Sequence, residues 1–455
     1  MLKSFRDRLP WPRWPSKTTS IPDVPASLSA RFSYGGLLLF AFSTSPLPEL
    51  AGLGLFLMLI GLGLSKDWQV FRRDPIAWTL LALTLYLLVT IAIGWRLFPH
   101  RLQDHLTGAL YLILFPFMIL LVAWVLNADR QRVYTMLAAA LGGLLVAIAL
   151  PVATGQVSWL ELWGGERHGL MFSNPIRLGL YTSGALLGLL IWRSAWIGRD
   201  SWSASKVLIY LLMMGVLIQA LVVSQARAAW VATLIVVPVS LAALWFVTRH
   251  GRQKITRSEW SALALIVAIL SISIVGFQDV IVKRSFSEMP TIKAAIDGNS
   301  VEFDNFGKRY HMWKLGIEKT SERPWLGHGP GSVPEYLANQ QLEISHFTHL
   351  HNLYLDLLVR VGIIGLVIVM TIFVLLIYAV ISEWRGGSLE VKMAIFVLGA
   401  LALFLIDNLS GYTLSRAQGR FYLALVGGAG YTWFFWRRRF HHQSPNGVFT
   451  PSVGA

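Results

Sequence analysis

Three histidines lie within six residues of one another, just before a long apolar run. They are His346, His349 and His351. Histidine has the side-chain pKa nearest to neutrality, so it can accept a proton from a hydroxyl group at physiological pH. The nearby carboxylates do not stand at a recognised metal-ligand spacing from these histidines. We therefore predict no metal site here, and His349 and His351 are alternative candidates for a general base.

Arginines are the second chemical signal. Arg227 occupies a short turn between two apolar runs, where a cation is costly unless it is paired. Arg167, Arg177, Arg284 and Arg309 fall on the same predicted side of the chain. A guanidinium stays charged and binds phosphate oxygens through two parallel hydrogen bonds. These residues predict an anionic ligand, and the alternative is that they are solvated or lie among lipid headgroups.

A carboxylate and a glycine-rich turn complete the candidates. Asp407 falls inside an apolar run. An ionisable group there is a functional candidate by default, and the alternative is a structural pair with Arg416 or Arg420. Residues 323–331 read Arg-Pro-Trp-Leu-Gly-His-Gly-Pro-Gly. Their glycines permit a tight turn, or they cradle a phosphate, although no Gly-Lys-Ser/Thr follows them.

Apolar helices must position these residues. The chain has 455 residues, of which 55% are hydrophobic and only 14% are charged. Soluble domains carry about 25% charged residues. Continuous apolar runs of roughly 17–25 residues recur, each long enough to cross a hydrocarbon core of about 30 Å as a helix rather than a barrel strand. We predict an all-α polytopic membrane protein with about twelve transmembrane helices.

The predicted helices cover 33–46, 49–65, 75–94, 107–126, 133–153, 177–193, 207–224, 228–247, 260–277, 353–381, 391–410 and 419–436. The sequence Ser-Pro-Leu-Pro joins the first two, which form a re-entrant pair in an alternative interpretation. The long segment 278–352 contains aromatic residues and helical spacing at 309–320, so we expect it to fold and to contain short helices.

The distribution of basic residues orients the chain. The net charge of +15 would indicate a nucleic-acid partner in a soluble protein. Here the short loops on one side of the predicted membrane are rich in Lys and Arg, as cytoplasmic loops are. We therefore expect no nucleic acid, a cytoplasmic basic tail at 1–32 and a cytoplasmic tail at 437–455. Helices 1–9 lie within 33–277 and helices 10–12 within 353–436, so we expect the loop 278–352 outside the cytoplasm. The chain has no cysteine, which excludes disulfides and thiolate metal sites.

Several motifs together resemble one family. His351-Asn352, nine residues, Gly362, two residues and Gly365 resemble the signature of the O-antigen ligase family. The segments Arg-Tyr-His-Met-Trp at 309–313 and Pro-Trp-Leu-Gly-His-Gly-Pro-Gly at 324–331 resemble the region before that family's histidine. Ser-Gln-Ala-Arg at 224–227 resembles its Ser-x-Arg helix end, with one additional residue. The resemblance extends over nearly the whole chain.

This resemblance implies a metal-independent, inverting glycosyltransferase with a GT-C-like fold and no cofactor, in the bacterial inner membrane. The segment 278–352 would be its large periplasmic catalytic loop. It would transfer a glycan from undecaprenyl diphosphate to a sugar hydroxyl of lipid A–core in lipopolysaccharide biosynthesis. Its catalytic residues would be His351, Arg227 and Arg309. The substrate-binding candidates are Arg167, His349, Asn352, Arg284 and Asp407. The alternatives are an O-antigen polymerase or O-linked oligosaccharyltransferase that uses the same donor, and a membrane transporter, whose charges would lie nearer the bilayer midplane.

Overall fold

The computed structural model describes residues 27–249 and 275–440. Short gaps within these ranges fall at residues 66, 159–160, 163–165, 173, 198–203, 277, 280–281 and 283–285. The described residues contain α-helices and short 3-10 turns, with no β-strand among them. The described part of the chain is therefore all-α and contains helices long and apolar enough to cross a membrane, in agreement with the predicted all-α membrane protein.

The α-helices before the large loop, numbered in chain order, are α1 (Leu28–Ser43), α2 (Pro48–Leu64), α3 (Pro75–Leu97), α4 (Leu102–Leu126), α5 (Arg130–Ala153), α6 (Pro175–Ile191), α7 (Arg193–Ile197), α8 (Ala204–Ser224) and α9 (Arg227–Arg249). The loop contains α10 (Met289–Ile296), α11 (Asn305–Glu322), α12 (Ser332–Ala338) and α13 (Leu342–Ser345). The last three are α14 (Leu353–Arg385), α15 (Val391–Asp407) and α16 (Ala417–Phe440).

Every predicted helix except the ninth has a counterpart in this series. Most of the ninth, at 260–277, lies outside the described residues. Within the described ranges, six helical segments are long and apolar enough to cross a membrane, and α2 and α6 are shorter apolar helices. The total of twelve spans remains a prediction.

Local chemistry explains where several helices begin. The side chains of Asp74, Asp129, Asn174, Asp304 and Asn352 each accept a hydrogen bond from a backbone N–H in the first turn of the following helix. These contacts satisfy donors that have no partner inside the helix. Pro75 and Pro175 follow two of the caps and favour the first helical position.

The core lies around α4, which packs along α16. In the apolar part of α4, 72% of the residues are buried, against 22% in α3. On α3, Trp78, Leu81, Leu85, Leu88 and Trp95 are exposed. A soluble protein rarely exposes so large an apolar face, whereas a membrane helix presents such a face to lipid.

α14 is interrupted at Gly362, where the backbone leaves the helical conformation (φ 63°, ψ −173°). The glycine-rich turn packs into this break. The backbone N–H groups of His328 and Gly329 donate to the carbonyl oxygens of Val359 and Arg360, both at 2.9 Å. A Cβ at Gly362 would lie 2.3 Å from the carbonyl oxygen of Trp325. The turn therefore has a structural function, and these two N–H groups satisfy α14 carbonyls instead of cradling a phosphate.

The large loop is folded, as its aromatic content predicted. Buried side chains from α11, α12, α13 and the start of α14 form a separate apolar cluster, which consists of Met312, Leu315, Val333, Leu337, Ile344, Leu350 and Val359. The indole N–H of Trp313 donates to the carbonyl oxygen of Leu350 at 3.0 Å. The loop therefore supports the segment that contains the histidines.

Candidate functional site

The histidine turn, residues 348–352, leads directly into α14. His351 adopts the left-handed backbone conformation (φ 53°), which is uncommon for a residue other than glycine. Asn352 is the N-cap of α14, and its side-chain oxygen accepts from the N–H of Leu355 at 3.0 Å. The N–H of Leu353 donates to the carbonyl oxygen of Asn408 at 3.0 Å. These contacts hold His351 at the start of the helix.

A buried ion pair braces the same turn. Asp356 and Arg360 stand four residues apart on α14 and bond to each other. The other carboxylate oxygen of Asp356 accepts from the N–H of Leu350 at 2.7 Å. Arg360 donates to the carbonyl oxygen of Thr348 at 2.8 Å and also to that of Pro330. The pair therefore joins the histidine turn to the glycine-rich turn.

The two histidine rings are in contact, with centroids 4.1 Å apart. The Nδ1 atom of His349 accepts a hydrogen bond from the backbone N–H of His351 at 3.2 Å, so the neutral ring carries its proton on Nε2. The Nδ1 atom of His351 is buried without a hydrogen-bond partner among the described residues. Within the described ranges, no carboxylate therefore bonds to Nδ1 of His351 as one does to the histidine base of a Ser-His-Asp triad.

Burial and positive charge favour the neutral form of both histidines. Burial, followed by the charges of Arg360, Arg416, Arg177 and Arg309, lowers the pKa of His349 to about 4. Burial, followed by His349 and Arg309, also lowers the pKa of His351 far below its ordinary value. Both rings are therefore unprotonated at neutral pH, which is the state that a general base requires.

One open cavity brings together three of the predicted arginines. Arg167, Arg227 and Arg309 line it, although they lie far apart in the sequence. Its remaining lining residues are Ile176, Gln225, Ala226, Ala228 and Ser410. Guanidinium groups around a shared cavity form an environment suited to a phosphate-bearing ligand.

A tight turn between α8 and α9 places Arg227 at this cavity. Gln225 has a positive φ of 46°, and the hydroxyl oxygen of Ser224 accepts from the N–H of Ala226 at 3.2 Å. The Nε of Arg167 donates to the carbonyl oxygen of Ser224 at 3.2 Å. Ser224 therefore shapes the turn, and the arginines supply the positive charge.

The cavity and the histidine turn share one support. Asn408 is buried, and its side-chain oxygen accepts from both the N–H and the hydroxyl of Thr413. This fixes a turn that supplies the Asn408 carbonyl to the histidine turn and Ser410 to the cavity. The hydroxyl of Ser410 accepts from Arg309 at 3.2 Å. Arg309 is also close enough to His351 for its charge to lower the pKa of that ring.

The remaining predicted residues have different positions. Asp407 is fully buried, and neither of its carboxylate oxygens has a hydrogen-bond partner among the described residues. The suggested pair with Arg420 does not form, because Arg420 donates to the Leu414 carbonyl and stacks on Tyr111. No ion pair joins Asp407 to Arg416 in the described ranges either. Arg284 lies outside the described residues.

Sequence reasoning missed three residues that support the site. The i, i+4 spacing of Asp356 and Arg360 was readable, but their bonds to the histidine turn depend on tertiary structure. Glu288, which forms an ion pair with Arg227 at 2.6 Å, stands in a distant segment and gave no local signal. Within the described part of the chain, no group of three or more His, Asp or Glu side chains is arranged to hold a metal ion.

A family model matches part of this chain. Residues 209–370 match the family model described as O-Antigen ligase, a range that extends from α8 into α14 and includes Arg227, Arg309 and His351. The resemblance to the O-antigen ligase family is thereby confirmed over this range, which is about a third of the chain and not nearly the whole of it. An uncharacterized protein of Haemophilus influenzae is 25% identical over 190 residues, which are 39% of this chain and 44% of that protein. The chain thus matches less than half of that relative's length.

Proposed function

We propose that this protein transfers a glycan from undecaprenyl diphosphate to a sugar hydroxyl of lipid A–core on the periplasmic face of the inner membrane. The bond between the anomeric carbon and the diphosphate oxygen breaks, and the acceptor oxygen bonds to that carbon from the opposite face. His351 takes the acceptor proton, and undecaprenyl diphosphate leaves. The observation that carries the proposal is the cavity lined by Arg167, Arg227 and Arg309, which the turn at 408–413 links to the first residue of α14, directly after the histidine turn.

In this proposal the arginines bind the donor's diphosphate. A diphosphate carries negative charge before transfer and gains more as it leaves, so fixed cations stabilise the transition state more than the ground state. Arg227 and Arg309 lie on different elements, α9 and α11, and both line the cavity. This arrangement favours a ligand held between them, with Arg167 as a third contact.

The bound donor also raises the proton affinity of the proposed base, His351. His351 has no hydrogen bond on Nδ1 among the described residues, and Arg309 opposes its protonation. A bound diphosphate supplies negative charge beside Arg309, so it raises the proton affinity of His351 when the acceptor must be deprotonated. We infer that donor binding makes His351 a stronger base than it is in the free enzyme. His349 then orients the acceptor and the His351 backbone.

The reaction is tested directly with purified protein, undecaprenyl-diphosphate glycan and lipid A–core in the presence of a chelator. Appearance of lipid A–core that carries the glycan, with inverted configuration at the transferred sugar, supports the proposal. Elongation of the lipid-linked glycan instead indicates a polymerase, and glycan on a protein acceptor indicates an oligosaccharyltransferase. Movement of intact donor across a vesicle membrane without transfer indicates a transporter.

The proposed topology places residues 278–352 outside the cytoplasm. Because the natural chain has no cysteine, a single introduced cysteine is the only thiol that a probe can label. A membrane-impermeant maleimide should label Asn299→Cys from outside and Ser388→Cys only from inside or after permeabilisation. The opposite labelling pattern would contradict the topology and the periplasmic site.

A further inference from the structure

One arginine of the cationic cavity already has an anionic partner. Glu288, immediately before α10, lies 2.6 Å from the guanidinium of Arg227. Its side chain is only 5% exposed, and one of its carboxylate oxygens, Oε1, is buried without a hydrogen-bond partner among the described residues. Arg227 itself is 25% exposed and lines the cavity. A carboxylate therefore competes with any phosphate ligand for the same guanidinium.

The proposed reaction makes such competition useful. The donor and the product undecaprenyl diphosphate both contain the diphosphate, so arginines that bind the donor also bind the product. Product release limits turnover in many enzymes. A residue that takes over one arginine as the diphosphate departs lowers the affinity for both ligands and shortens the lifetime of the product complex.

We propose that Glu288 is an internal competitor that holds Arg227 between turnovers and promotes release of the lipid diphosphate product. This inference rests on the proposed function. In the donor complex the Arg227 guanidinium turns from Glu288 toward the diphosphate or divides its donors between the two. After transfer, Glu288 recovers Arg227 and undecaprenyl diphosphate dissociates. Glu288 contributes no proton and no bond to the glycosyl transfer.

Binding to the full-length purified protein tests this, with farnesyl diphosphate as a water-soluble probe. Glu288→Gln keeps the size of the side chain and removes its charge. It should lower the Kd by up to about fivefold, the order expected for loss of one competing charge at a partly exposed arginine. Glu288→Asp keeps the charge on a shorter side chain and should have a smaller effect. Glu343→Gln removes a charge from an exposed residue of the same loop and should leave the Kd unchanged.

A double variant shows whether Glu288 acts through Arg227. Arg227→Ala should weaken binding, and adding Glu288→Gln to it should have no further effect on the Kd. In transfer assays, Glu288→Gln should strengthen inhibition by added undecaprenyl diphosphate by the factor found in binding. Thermal unfolding of each variant shows that the fold is retained.

The results separate this inference from the proposed function. Equal or weaker binding by Glu288→Gln, or tighter binding that persists without Arg227, would overturn the competitor while the transferase proposal stands. Failure of the wild-type protein to bind the probe, together with absence of glycan transfer, would overturn both.

Discussion

Buried polar contacts hold the histidine turn, whereas the three arginines of the cavity come from three separate segments. In the turn, Asp356 is fully buried and Arg360 is 6% exposed, and the pair contacts the backbone on both sides of His349. In the cavity, Arg167 is exposed, and Arg227 and Arg309 are partly exposed. The proposed base is thus fixed before substrate arrives, while the arginines can adjust around a ligand.

The difference suits the two chemical tasks. A base must meet one proton within hydrogen-bond distance, so small displacements are costly. A diphosphate offers several oxygens, and long arginine side chains can reach it from more than one direction. If this comparison is correct, changes to the turn should reduce the rate of the chemical step, and changes to the cavity should affect donor binding as well.

Replacement of His351 should have the largest effect. Proton removal by a placed side chain typically contributes about 10²–10⁴-fold, so His351→Ala should reduce glycan transfer by that order. Membrane insertion and binding of a prenyl diphosphate should remain. His349→Ala, the matched control in the same turn, should be milder. Substantial transfer by His351→Ala, or activity that a chelator removes and a metal restores, would refute the general-base mechanism.

Loss of the Asp356–Arg360 ion pair should have the second-largest effect. Removal of one partner of a buried ion pair destabilises a protein by about 3–5 kcal/mol. Asp356→Asn and Arg360→Met should each lower the Tm, and displacement of the histidine turn should lower kcat by about 10²-fold. The donor KM should change little, because the cavity arginines stay in place. A variant with wild-type kcat would show that the histidine turn does not depend on the pair.

Conservative changes in the cavity should have intermediate effects. Arg227→Lys and Arg309→Lys keep the charge but lose the planar, two-pronged donor, which should reduce kcat/KM about tenfold each. Part of the loss should appear in the donor KM, unlike the loss in the brace variants. Arg323→Lys changes an exposed arginine of the same loop that does not line the cavity, and it should be neutral. Wild-type kinetics in both lysine variants would contradict two-pronged recognition of the diphosphate.

The sequence predicted the helices well because apolar length and caps are local properties, as at Asn352 and Pro175. It also identified the arginines that the cavity brings together, because cations beside apolar runs need partners. It did not predict the break in α14, since the φ of Gly362 depends on a turn that ends more than thirty residues earlier. Glu288 was missed for the same reason, because its ion pair with Arg227 crosses from one segment to another.

The smallest expected effect is on pH dependence, and it tests how the two regions communicate. In the free enzyme the lowered pKa values of His349, about 4, and of His351 keep both rings neutral. A histidine with an ordinary pKa would lose its basic form as the pH falls through about 6.5. Here kcat/KM, which reports the free enzyme, should therefore keep its value to well below pH 6.

The donor complex should titrate differently from the free enzyme. A bound diphosphate offsets the charge of Arg309, which raises the pKa of His351, so the acid limb of kcat should lie at higher pH than that of kcat/KM. Arg309→Gln removes the same opposing charge permanently and should move the acid limb of kcat/KM upward, toward that of kcat. His311→Gln, which changes a histidine that lies on α11 near Arg309, should leave both pH profiles unchanged. If the acid limb of kcat/KM lies at the same pH in the wild-type protein and in Arg309→Gln, the cavity charge does not control the pKa of His351. The two regions would then act independently.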